Sequence, residues 1–80
     1  MLNNIGLAHY GLSEYEQALA YYRQALHIRQ EIGHRTGEAT TLNNIGMVYQ
    51  AVSDYEQALA HLQQALDIKR EIGHRTGERI

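Results

Sequence analysis

Apolar residues at Tyr15, Ala18, Leu19, Tyr22, Ala25, Leu26 and Ile32 recur at steps of three, four or their sums, with mostly polar residues between them. That period lays one stripe along one side of a helix. The stripe returns at Tyr55, Ala58, Leu59, Leu62, Ala65, Leu66 and Ile72. A shorter pattern, Leu2, Ile5, Gly6 and His9, is answered by Leu42, Ile45, Gly46 and Tyr49, and predicts a shorter helix whose apolar face meets the longer one. Glycine inside a helix is unfavourable by about 1 kcal/mol relative to alanine. Gly6 and Gly46 therefore point to close approach by the partner helix, which offers Ala18 and Ala25 or Ala58 and Ala65.

Residues 1–40 and 41–80 are identical at 24 of 40 positions, so the chain is an internal duplication. The expected architecture is all-α: two tandem helix-turn-helix hairpins forming a short α-solenoid segment. The first repeat, 1–40, holds a short helix over about 1–11 and a long one over about 14–32; the second, 41–80, takes a short helix over about 36–51 and a long one over about 54–72. The tail, 73–80, begins a third short helix. Ser13 and Ser53 are expected N-caps, with Glu16 and Glu56 completing capping boxes. Arg29, Lys69 and Arg70 suit the negative helix end, and Gly33 and Gly73 suit left-handed C-caps.

The octapeptide "EIGHRTGE" occurs unchanged at Glu31–Glu38 and Glu71–Glu78. A phosphate-cradling loop needs glycine amides after a strand or a Walker-type lysine, and neither context is present. The stretch reads instead as a joint that sets the angle between hairpins, with Thr36 as N-cap of the next helix and Glu38 near its positive end.

Composition narrows the picture. The 80 residues lack cysteine and proline, so disulfides and thiolate zinc sites are excluded and helices are favoured over strands. Net charge is -2 without a block of one sign, which argues against a nucleic-acid footprint. No apolar run suits a membrane span or a signal peptide, and a cytoplasmic location is expected.

A glycine followed three residues later by an aromatic, with alanines twelve and nineteen residues on and a large apolar residue at sixteen, resembles the tetratricopeptide repeat. Here those places are Gly46, Tyr49, Ala58, Leu62 and Ala65, and Gly6, His9, Ala18, Tyr22 and Ala25. The period of 40, "LNNIG" and "YEQAL" are similar to the repeats of kinesin light chains, spindle-orienting adaptors and bacterial scaffold proteins. The resemblance implies a right-handed superhelix and a concave groove for a protein or peptide partner, lined by Asn3, Asn4, Leu7 and Tyr10 and by Asn43, Asn44, Met47 and Gln50. An asparagine amide both donates and accepts, so it can hold a peptide backbone. Which asparagine of each pair faces the groove stays open.

Other chemistry is weaker. No two of His9, His27, His34, His61 and His74 are three or four residues apart, the spacing that puts two ligands on one helical turn. No metal site or cofactor is expected. His9 reads as a core substitute for tyrosine, His27 and His61 as solvated positions, and Tyr15, Tyr22, Tyr49 and Tyr55 as buried packing. No nucleophile with a nearby base and no carboxylate pair in a pocket is evident, so no enzyme is expected. The leading function is protein–protein interaction. The alternative is a self-associating building block, an excised or designed fragment. The chain opens just before "LNNIG" and stops at "GERI", and uncapped repeats tend to stack or exchange hairpins. Leu2, Ile5, Ile72 and Ile80 are the expected self-association ends, giving a homo-oligomer at tens of micromolar and above.

Overall fold

A computed structural model describes residues 2–77, with the side chains of Asn3 and of residues 74–77 set aside. Within that span four helices run in order, α1 (Leu2–Gly11), α2 (Tyr15–Ile32), α3 (Arg35–Ala51) and α4 (Tyr55–Gly77). The described residues contain helices and turns and no strand. Each helix packs on the next along the chain, so α3 lies between α2 and α4 in a solenoid-like pair of hairpins. The sequence boundary at 40/41 falls inside α3, so the folded hairpin leads the sequence period by about one and a half turns.

The turns between helices of a hairpin differ from expectation. Ser13 and Ser53 have φ of 61° and 65°, in the left-handed region. The amide of Ser13 donates to the Tyr10 carbonyl (3.0 Å) and that of Glu14 to the His9 carbonyl (2.8 Å), and Ser53 and Asp54 repeat this with Gln50 and Tyr49. This is the Schellman arrangement, which satisfies the last carbonyls of α1 and α3. The serines thus close the preceding helix instead of opening the next, and the expected capping boxes do not form. Asp54 caps α4 in their place, its Oδ1 accepting from the Gln57 amide at 3.3 Å. Glu14, its counterpart, makes no such bond and pairs with His9. A left-handed serine is unfavourable by roughly 1 kcal/mol.

The two copies of the octapeptide fold differently. Gly33 ends α2 with φ of 70° and a third Schellman pair, Gly33 amide to Gln30 carbonyl and His34 amide to Arg29 carbonyl. At Gly73 the helix continues, so neither the expected cap nor a separate short helix appears there, and α4 runs on to Gly77. Side chains on either side fasten the first joint. The Arg29 guanidinium meets His34 Nδ1 at 2.8 Å and, with Cδ, fills the space a Cβ on Gly37 would need, and Gln30 Nε2 donates to Glu38. In the second copy Lys69 and Arg70 occupy those two places, and lysine lacks the planar fork. Thr36 lies inside the first turn of α3, with His34 at its N-cap. Opposite effects follow for one substitution. Gly33→Ala is expected to lose about 1 kcal/mol to backbone strain, whereas Gly73→Ala, whose methyl meets open space, should gain about 1 kcal/mol of helix propensity. Urea unfolding of both variants checks the signs.

The core has two centres. Ala18 and Tyr22 of α2 meet Ile45 and Val48 of α3, with Tyr10, Tyr15, Leu19, Leu26 and Tyr49 packed around them. Ala39 and Leu42 of α3 meet Ala65 and Ile68 of α4, flanked by Leu26 and Ile72. Gly6 admits the Tyr22 ring, since a Cβ there would stand 2.8 Å from Cδ1; the close neighbour is this ring rather than the alanines expected. Burial raises the Tyr22 phenol above the ordinary 10.0, and Tyr10 adds repulsion. The folded state therefore resists an ionisation that the unfolded chain undergoes near pH 10. Its stabilising share is present below that pH and lost above it. Urea midpoints should fall between about pH 9 and 11, and less so in Tyr22→Phe.

Candidate functional site

The short helices leave one side uncovered. On α3, Ile45 and Val48 turn to α2, Gly46 lies against Leu62 and the Ala58 carbonyl of α4, and Leu42 joins the second core centre. Asn43, Met47 and Gln50 follow one another at helical spacing along the remaining side. Asn43 and Met47 are half-buried and in contact, Nδ2 to Sδ at 4.0 Å, and Gln50 is exposed. Asn44, also half-buried, is one step round the helix. On α1, Asn4 and Leu7 are exposed, while the Tyr10 ring meets the edge of Tyr15 at 5.8 Å and joins the first core centre. Asn3 lies outside the described side chains. The α1 segment contains no Asp, Glu, Lys or Arg.

At the first turn of α3 stands a polar tie. Arg35 donates through Nη1 to Glu38 (2.9 Å) and through Nη2 to Glu71 (2.6 Å), and Gln30 Nε2 reaches Glu38 at 3.4 Å. These bonds join α2, α3 and α4 and keep the buried Glu38 carboxylate satisfied. The bonds to Glu71 and Glu38 raise the Arg35 pKa further above its ordinary value. Thr41 donates to the Gly37 carbonyl at 3.0 Å, which lets a hydroxyl sit fully buried.

The family model for tetratricopeptide repeats matches residues 1–71. The chain belongs to the tetratricopeptide-repeat family. Comparison with curated proteins and with solved structures gave no match. Tetratricopeptide repeats are helical scaffolds for protein–protein interaction rather than enzymes. Among the described residues no cluster of three or more His, Asp or Glu could hold a metal ion, and no helix is long and apolar enough to cross a membrane.

Several tetratricopeptide positions differ from their expected roles. His61 is half-buried and stacks on Tyr49 with centroids 5.3 Å apart, its Nδ1 at 2.8 Å from the Gln57 carbonyl, so it is no solvated position. His9 stacks on Tyr21 at 5.4 Å and bonds Glu14 at 2.8 Å. The two copies thus exchange the members of one stacked pair, His9–Tyr21 for Tyr49–His61. The reciprocal change was visible in the aligned repeats and was the signal that could have revealed it. Arg23 Nη2 donates to the Tyr49 hydroxyl at 2.6 Å and ties α2 to α3. Tyr55 and Ile32 are exposed instead of buried. Of the expected self-association ends, Leu2 and Ile5 are half-buried and Ile72 packs against the second core centre; Ile80 lies outside the described residues.

Proposed function

We propose that this chain is a peptide-binding module whose extended ligand crosses the open sides of α1 and α3, held by Asn43 and Asn44 and, in the first repeat, by Asn3 and Asn4. The observation that carries the reading is the row Asn43, Met47 and Gln50, half-buried at its first two members and exposed at the third, on a helix otherwise packed on two sides. Amides there bond a peptide backbone without reading its side chains, while Leu7 and Met47 offer adaptable apolar contact. The period of 40 supports placement in the kinesin-light-chain-like subgroup, and a cytoplasmic setting suits a chain without cysteine. An array of short peptides should retain neutral sequences, and the double variant Asn43→Ala, Asn44→Ala should lose that signal. Retention of the same peptides by the variant would count against the reading.

A second reading, self-association, is favoured by a different observation: Tyr55, Leu59 and Leu66 form an exposed apolar row on α4.

A further inference from the structure

The same side chains meet two environments in this chain. On α2, Tyr15, Leu19 and Leu26 are half-buried where α3 seats Ile45 and Val48. On α4 the identical residues Tyr55, Leu59 and Leu66 are 60, 68 and 41% exposed. We propose that α1 of a second copy covers this open row, in a head-to-tail contact that repeats between molecules the α2–α3 packing within each chain. The proposal rests on the self-association reading and gives it a surface.

Helix α1 is the sequence counterpart of α3. It carries Ile5 at the place of Ile45 and the exposed Ala8 at the place of Val48. Its lack of charged residues means that docking strips water from no ion on that helix. Because the two surfaces differ, the contact is heterologous and propagates into rows of copies or closes into a ring. It is also thinner than the internal contact. Ala8 lacks two methyl groups of Val48, and Leu62 stands where α2 has Tyr22. Association therefore belongs to concentrations of about tens of micromolar and above.

Sedimentation velocity on the 80-residue protein tests this over about 10 μM to 1 mM. Leu59→Glu and Ala8→Asp alter exposed positions, and circular dichroism verifies their helicity. Each variant alone should remain monomeric at concentrations where the wild type associates. An equimolar mixture should form a 1:1 dimer, since one partner keeps an intact α1 and the other an intact α4. Ala8→Val should shift association to about tenfold lower concentration by restoring the missing methyls. A wild type that associates unchanged in both variants overturns the assigned surface but leaves self-association standing. A wild type that stays monomeric throughout overturns both. A mixture that stays monomeric overturns the head-to-tail geometry.

Discussion

Gly46→Leu is expected to remove about 3 kcal/mol or more of stability and leave the protein largely unfolded at room temperature. A Cβ at this position would stand 2.8 Å from Cγ and Cδ2 of Leu62 and 3.3 Å from the Ala58 carbonyl oxygen. The leucine side chain can swing; the carbonyl belongs to the backbone of α4 and cannot. Helix propensity alone argues the other way, favouring leucine over glycine by somewhat under 1 kcal/mol. Overpacking wins because every added carbon must push α3 away from α4, and small domains have only a few kcal/mol to lose. Thermal melts by far-ultraviolet circular dichroism read the effect. A cooperative transition at the wild-type temperature would show that α3 and α4 do not approach this closely.

Ile45→Ala should destabilise by roughly 3 kcal/mol, because Ile45 is 1% exposed and touches the centre that joins the two hairpins. Ile5→Ala changes the same letter at the same place in the repeat, yet Ile5 is half-buried and its loss should be only about 1 kcal/mol. Chemical unfolding of both variants at a concentration low enough to keep the protein monomeric checks the ratio. Equal losses would mean that α2 does not shield Ile45 in solution. The comparison isolates tertiary cover, since propensity and repeat position are held constant.

These paired letters also explain what could be read from the chain before its structure. The 40-residue period, the helical stripes and the close approach at Gly6 and Gly46 are local or nearest-neighbour properties, and the two copies state them twice. Cover is different, because it depends on what lies beside a helix in the stack. Ile68 is buried under the first turns of α3, whereas Ile28, the same residue one period earlier, is 46% exposed. No stripe on α2 or α4 taken alone distinguishes them. The serine turns were misread for a local reason: a serine before "EYE" or "DYE" suits either the end of one helix or the start of the next, and the Schellman bonds to His9 and Tyr49 decide for the end. The octapeptide is a joint in its first copy and helix in its second, so identical letters have two outcomes and the difference lies outside them, where Lys69 and Arg70 replace Arg29 and Gln30. For the candidate site, the row on α3 came from the resemblance to tetratricopeptide repeats and not from spacing alone, and the placement of Tyr10 against Tyr15 came from neither.

The central claim is that the uncharged side of the short helices holds a peptide by its backbone. Calorimetric titration of the strongest neutral array peptide, at about 50 mM and 500 mM salt, tests it most directly. The predicted result is a dissociation constant that hardly moves with salt and weakens by about tenfold or more in Asn43→Ala, Asn44→Ala, with an unchanged sedimentation profile. Undiminished affinity in that variant, or binding that collapses as salt is raised, would contradict it.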